Sequence, residues 1–375
     1  MFKNKNILFL KKKRYSSYYD NIVKGIVEFG KPNKVYFVEY DSNSNFVDIN
    51  KKLDSIIFKN NISIFISLSY YLIDPFILVK YRKKVFRVRI DGDDGVIFNH
   101  YSKWYAQLFD LNITTNSTAH EKFKSLNFNS ILYANNLFYK KIKKNILNKK
   151  YQYEISFIGL TNSKSRKEYL DSINENNFNL SIFGEKTLNG KLNIEDKYLT
   201  YMNTKINLNF SKVFNFDKSL LIYEPNLYNN TTMQGRIFEV LSVGGFLLTE
   251  YSPSIEYFFK PDKDLVMFRN KNEMIQKINY YLNNEVERKM IARNGRIKFN
   301  KYYEYSVYTP KFIKQIKYFS NKKNDTENYE WPNILKSFIS RFIRIKYMYK
   351  PIYIYYIFKY CSFYFYFRNK IKNYR

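Results

Sequence analysis

Short apolar runs alternate with amphipathic stretches from the start of the chain. Residues 6–10 form a compact apolar run that predicts a buried strand, and residues 16–29 carry a helical period closed by Gly30 ahead of Pro32. Residues 35–40 predict a strand and 47–59 a helix. The β-branched run 62–68 suits a strand buried on both faces. A helix over 74–82, a strand over 85–90 and strand-like runs at 111–114 and 130–132 continue the series. Strand–helix alternation of this kind predicts a parallel sheet covered by helices on both faces.

The Lys/Asn-rich stretch 140–150 interrupts the pattern, and the same grammar then restarts. Strands are expected at 154–159, 180–184, 205–210, 246–249 and 265–268, with helices over 165–175, 233–243 and 272–283. The fold class is therefore α/β, with two successive Rossmann-like halves at 1–150 and 151–310. From about residue 302 the character changes. Pro310 and Pro332 punctuate the chain, residues 321–330 read as a polar loop, and 311–375 form a helical extension that is basic and aromatic beyond Trp331. Residues 352–367 carry one charge, Lys359, and are short and tyrosine-rich for a spanning helix; no segment of the first 330 residues could span a bilayer.

Composition narrows the chemistry. At 375 residues, 45% hydrophobic and 20% aromatic, the chain has material for two packed cores. One cysteine, Cys361, excludes an internal disulfide framework and a Cys-based zinc site, and His100 and His120 are poor material for a metal centre. A reducing cytoplasm is the implied compartment. The formal charge of +30, from 63 Lys and Arg against 33 Asp and Glu, invites a nucleic-acid reading. The surplus is spread along the chain among abundant Asn, Ile, Tyr and Phe, as an AT-biased genome would produce, and no nucleic-acid signature accompanies it. For the tail 331–375 the alternatives are a helix pair packing back across the two halves, peripheral contact with the inner face of the cytoplasmic membrane, or base stacking.

The segment with the most chemistry runs from Gln234 to Gly245, Gln-Gly-Arg-Ile-Phe-Glu-Val-Leu-Ser-Val-Gly-Gly. A helix opening here offers free N–H groups to an anion, and Arg236 adds a fork of donors suited to a diphosphate. Glu239 lies one turn on along the same face and can accept hydrogen bonds from a ribose diol. Gly244-Gly245 then ends the helix before an apolar strand. On spacing alone, an exposed Arg/Glu pair on an ordinary capped helix explains the pattern as well.

This stretch resembles the donor-binding core of GT-B glycosyltransferases, most closely the CgeB-like, spore-maturation-type group. The resemblance rests on Arg236, Phe238, Glu239, Gly244 and Gly245, followed by Phe246-Leu247-Leu248-Thr249-Glu250. Ile255-Glu256-Tyr257-Phe258-Phe259, Asp264-Leu265-Val266-Met267-Phe268 and Glu287-Arg288-Lys289-Met290-Ile291-Ala292-Arg293-Asn294-Gly295 are similar to later blocks of the group. Upstream, Ser156-Phe157-Ile158-Gly159 with Arg166, Ile182-Phe183-Gly184, and Ile206-Asn207-Leu208-Asn209-Phe210 resemble its donor-domain strands. The resemblance implies a GT-B fold with two Rossmann-like domains facing a cleft, and a donor set of Gly159, Arg166, Gly184, Asn209, Arg236, Glu239, Gly244 and Gly245. It also implies metal-independent, hexosyltransferase-like transfer from a UDP, GDP or dTDP sugar, with no cofactor, to a glycan, lipid-linked or protein acceptor in cell-surface synthesis. One departure matters. Retaining GT-B enzymes carry a second glutamate eight residues before the one matched by Glu239, and Thr231 stands there.

In the N-terminal half, Asp91-Gly92-Asp93-Asp94-Gly95 follows a predicted strand, where ligands bind in open α/β sheets. Asp91, Asp93 or Asp94 could deprotonate an acceptor hydroxyl; a Gly/Asp turn explains the cluster equally, and no Glu follows at calcium-loop spacing. Residues 109–116 and Ala134-Asn135-Asn136 resemble the end of the group's N-terminal domain. An inactive GT-B scaffold that binds a glycan or nucleotide, and a basic membrane- or nucleic-acid-binding protein, are the rival readings.

Overall fold

The computed structural model describes residues 1–13, 17–41, 44–68, 73–134, 151–161, 164–212, 221–222, 224–226, 230–323 and 329–344. The expected domain boundary at 140–150, Asn135 and Asn136, and all of the tail beyond residue 344 lie outside these residues. Two parallel sheets organise the chain.

The first domain holds β1 (Asn6–Lys12), α1 (Ser17–Gly30), β2 (Lys34–Tyr40), α2 (Phe46–Lys59), β3 (Ile62–Leu68), α3 (Pro75–Lys80) and β4 (Phe86–Asp91). The short helices α4 (Asp94–Ile97) and α5 (Lys103–Ala106), joined by a π turn at Phe98–Ser102, lead to β5 (Leu111–Thr114), α6 (Ser117–Ser125) and β6 (Ser130–Leu132). Strand order is β2-β1-β3-β4-β5-β6. Both faces are buried, as the unbroken apolar runs require: Ile7 and Phe9 pack on one side of β1, Leu8 and Leu10 on the other.

The second domain holds β7 (Tyr153–Ile158), α7 (Lys164–Glu175), β8 (Leu180–Phe183), α8 (Ile194–Met202), β9 (Thr204–Asn209), α9 (Arg236–Val243), β10 (Leu247–Glu250), α10 (Pro253–Glu256), β11 (Val266–Phe268), α11 (Lys271–Asn283) and α12 (Glu285–Tyr302). Its order is β11-β10-β9-β7-β8, so the strand sequence reverses direction between β7 and β9. Asparagines start many of the helices. Asn45, Asn116, Asn193 and Asn270 each accept a backbone N–H in the first turn of α2, α6, α8 and α11.

Two helices then return to the first domain. In α13 (Tyr305–Asn321), Phe312, Ile313 and Ile316 are buried with α1 on one face of the first sheet; in α14 (Trp331–Arg344), Ile334 and Phe338 are buried on the other. Each such side chain contributes roughly 1.5–3 kcal/mol of burial. Pro310, read from the sequence as punctuation, sits inside α13. Packing of that apolar face outweighs the lost backbone hydrogen bond. For residues 331–344, packing back is what the structure shows. Among the described residues no helix is long and apolar enough to cross a membrane.

The domains also touch directly. Asn116 Nδ2 donates to the Thr231 carbonyl at 3.0 Å, the Ser117 N–H to Ser254 Oγ at 2.9 Å, and Tyr257 to Glu121 at 2.9 Å.

Candidate functional site

In an open α/β sheet, ligands bind beyond the strand C-termini at the point where strand order reverses. In the second domain that point lies past β7 and β9, and the predicted residues converge there. Gly159 follows β7, and a side chain at this position would place Cβ 2.5 Å from Arg236 Nη2. Gly184, after β8, is equally constrained: its Cβ would stand 2.4 Å from the Gly159 carbonyl oxygen. The two glycines thus clear a shelf across which the Arg236 guanidinium lies.

Arg236 opens α9 and donates from Nη1 to Asn209 Oδ1 at 2.9 Å, while Asn209 Nδ2 donates to Thr249 Oγ1 at 2.8 Å. That second bond fixes the amide, so Asn209 aims the arginine. The Arg236 guanidinium sits over the Phe157 ring at 4.9 Å. Arg166, from α7, lies 5.5 Å from the same ring and 5.9 Å from Phe210, and its Nη1 donates to the Leu160 carbonyl at 2.6 Å. Burial, and then the neighbouring Arg236 charge, lower the Arg166 pKa to about 10, an effect that Glu250 partly offsets.

Glu250 is buried at the end of β10. Its Oε2 accepts the Ser211 and Lys212 N–H groups at 3.0 Å each, and its Oε1 lies 3.3 Å from Lys212 Nζ. Lys212 is ion-paired with Glu250 and Arg166 also feels its charge, so Arg166, Lys212 and the neighbouring Arg236 stand near a single carboxylate at this end of β10. The arrangement carries a surplus of about two positive charges in a partly desolvated setting, which suits a dianionic group.

Glu239 lies one turn further along α9, and its charge and that of Arg236 both act on the Tyr201 hydroxyl. Lys197 Nζ donates to its Oε1 at 2.7 Å and the Tyr201 hydroxyl to its Oε2 at 3.0 Å. Burial and then the Glu239 charge hold the Tyr201 hydroxyl well above its ordinary pKa. Each carboxylate oxygen keeps a further lone pair. Gly244 and Gly245 stand at the far end of α9, about 12 Å along its axis. Gly244 takes the left-handed conformation that ends the helix (φ +77°), and a Cβ on Gly245 would lie 2.9 Å from Asn207 Nδ2 and from the Tyr201 carbonyl. Gly245 thus packs closely against β9 and the end of α8, and Gly244 against Arg296 of α12.

The acidic loop of the first domain follows β4, whereas that sheet reverses between β1 and β3. Asp94 is fully buried and ion-paired with the equally buried Arg89, which also donates to Ser102 Oγ at 3.0 Å. Asp91 Oδ2 lies 3.6 Å from Arg89, and Asp91 Oδ1 accepts the Asp93 N–H at 2.9 Å. Burial, then the Asp94 charge, push the Asp91 carboxyl up to about 7. Asp93 is the exposed member. The loop meets the second domain where Asn230 Nδ2 donates to the Gly95 carbonyl. His120 Nδ1 is 2.9 Å from Ser130 Oγ, and the buried His100 accepts Ser337 Oγ of α14 on its carbonyl at 2.8 Å.

Sequence reasoning missed Phe157 as the guanidinium platform, and Lys212, Lys197 and Tyr201 as charge partners. Asn193 with Asp196 is a legible helix start for α8 and could have found the last two.

Residues 166–312 match the family described as Glycosyl transferase-like. That stretch includes Arg166, Asn209, Arg236 and Glu239, so the similarity falls on the second domain and on the residues gathered at its strand reversal. Among solved structures, sucrose-phosphate synthase from Thermosynechococcus elongatus is 9% identical, with a TM-score of 0.58 over 86% of this chain and 100% of that one. Anabaena Alr3699/HepE in complex with UDP and glucose is 11% identical, with a TM-score of 0.58 over 84% and 100%. The S. aureus MnaA–UDP structure is 12% identical, with a TM-score of 0.52 over 84% and 97%. No curated protein sequence matches the chain. Two parallel-sheet domains with helices crossing back from the second to the first are the GT-B fold.

Proposed function

We propose that the chain is a glycosyltransferase that moves a sugar from a nucleoside-diphosphate donor to a hydroxyl acceptor. The observation that carries this reading is the pair of guanidiniums, Arg166 and Arg236, held over Phe157 at the switch point of a glycosyltransferase-like domain. Two structural neighbours are described as UDP complexes, which favours a nucleotide as the group bound here.

In the proposed reaction the diphosphate lies against Arg166 and Arg236. Its negative charge grows as the glycosidic bond to the donor breaks, so both arginines stabilise the leaving group more than the intact donor. Their mutual repulsion, visible in the lowered Arg166 pKa, is relieved as that charge develops. Glu239 accepts the ribose hydroxyls on the lone pairs left by Lys197 and Tyr201. The reading needs no metal, because the cations that would balance the diphosphate are side chains.

Across the cleft, Asp93 is the exposed carboxylate and the one assigned to meet an acceptor, while Asp91 and Asp94 are enclosed around Arg89 and hold the loop. The Arg236-x-Phe238-Glu239 run with Thr231 upstream favours the CgeB-like group and leaves the stereochemistry unassigned. A cell-surface glycan, lipid-linked or protein acceptor and a cytoplasmic location, with tail contact at the inner membrane face, complete the proposal.

The test is a panel of UDP, GDP, dTDP and CMP sugars, read by thermal shift and by release of free nucleotide with candidate acceptors. One donor class should raise Tm, since native-state binding stabilises by mass action. Absence of any shift, alongside salt-dependent binding to RNA or anionic vesicles, would favour the rival basic-protein reading.

A further inference from the structure

The glycine pair at the end of α9 borders a feature that the donor reading does not use. Residues leading into β9 and β10 meet α12 in a groove of about 210 Å³, at the end of the second sheet opposite Arg166 and Arg236. Thr204, Gly245 and Phe246 contribute to its floor, and four cations, Arg288, Lys289, Arg293 and Arg296, line it; no carboxylate does. Lys289 is ion-paired with Glu285 one turn earlier. Among the described residues no carboxylate is ion-paired with Arg288, Arg293 or Arg296.

Arg288 supplies a second, independent sign. It is 2% exposed, its Nη1 donates to the carbonyls of Tyr281 and Leu282, and its guanidinium lies 5.5 Å from the Tyr151 ring. Its Nε is buried with no hydrogen-bond partner. Capping the end of α11 explains Nη1 but not Nε, and a buried guanidinium N–H without an acceptor is costly. The same groove is bordered by Arg293 and Arg296, both exposed and both free to fold over a ligand seated on Arg288. Gly244 keeps the wall thin, since a Cβ there would stand 3.0 Å from Arg296 Cδ.

We propose that this groove is a second anion site, separate from the cleft, that takes a phosphomonoester or diphosphate group. The group sits against the buried Arg288 side chain at the floor, with which no carboxylate among the described residues is ion-paired, and accepts hydrogen bonds from the Arg293 and Arg296 guanidiniums at the rim. Such a group is carried by a soluble phosphorylated metabolite or by an anionic lipid headgroup.

Inorganic pyrophosphate and phosphatidic-acid vesicles serve as probes, each on the full chain. Calorimetry with pyrophosphate should give two sites in the wild type and one in Arg293→Glu/Arg296→Glu. In an Arg236→Ala background the remaining site should weaken at least about tenfold on adding Arg293→Ala/Arg296→Ala. Both rim residues are exposed, so circular dichroism should report an intact fold. Pyrophosphate binding without vesicle binding assigns a soluble ligand; vesicle flotation lost in the same rim variant assigns a headgroup. The proposal is overturned if the rim variants change neither stoichiometry nor affinity, or if neither probe binds at the groove. Failure of the cleft reading would instead remove the site sensitive to Arg236 and leave the rim-sensitive one.

Discussion

Replacing Gly159 with alanine isolates the packing that positions Arg236. The added Cβ would lie 2.5 Å from Arg236 Nη2, 3.5 Å from its Cζ and 3.0 Å from Phe157 Cζ. The guanidinium must retreat by about 1 Å to reach van der Waals distance, which breaks its 2.9 Å bond to Asn209. Because the clashing atoms end a flexible side chain, the cost to folding should be small, about 1 kcal/mol. The cost to ligand binding should be larger. Losing one charge-assisted bond to a diphosphate is worth about 1.5–3 kcal/mol, or about ten- to a hundredfold in Kd. Calorimetric titration with the preferred nucleoside diphosphate, beside thermal unfolding, reads both effects. Wild-type affinity in Gly159→Ala, with Arg236→Ala impaired, would refute the claim that this glycine sets the arginine. A collapse in Tm with no folded protein to titrate would make Gly159 a purely structural residue.

Arg89→Ala should destabilise the first domain by about 3–5 kcal/mol, because it leaves Asp91 and Asp94 buried without their cation; urea unfolding measures it. The raised Asp91 pKa means that the folded state holds a proton the unfolded chain has released. Its contribution to stability therefore falls as pH rises from 3.8 towards about 7, and Asp91→Asn should remove that slope from a pH series of unfolding midpoints. Gly295→Ala would bring a Cβ within 2.3 Å of the Asp264 carbonyl oxygen and 2.7 Å of Leu241, so it should cost about 1–3 kcal/mol while leaving activity per folded molecule unchanged.

Most of the strand framework was legible because parallel strands buried on both faces write themselves as unbroken apolar runs. Residues 62–68, 111–114 and 130–132 fall on β3, β5 and β6 to the residue. Helices α6, α8 and α12 were not predicted, and α13 only as part of a helical extension from residue 311. The helix α12 is rich in charge and carries Gly295 at its crossing with the loop before β11, so its apolar stripe is thin. Pro310 disguised α13 as a boundary, although its far half is apolar enough to anchor it to the first sheet. At the site, Arg236 and Gly159 were readable as types at a spacing, but their meeting across Phe157 depends on strand order, which no local pattern encodes. The reverse held for Gly244-Gly245: within one short sequence block with Arg236, they are separated from it by the length of a helix.

The central claim is that Arg166 and Arg236 together hold the diphosphate of a nucleotide sugar. Titrating the wild type, Arg166→Ala, Arg236→Ala and the double variant with the same nucleoside diphosphate tests it most directly. The account predicts micromolar-range binding in the wild type, a loss of at least about tenfold in each single variant and none measurable in the double. Equal affinity across the four proteins, or no nucleotide bound by the wild type, would contradict it.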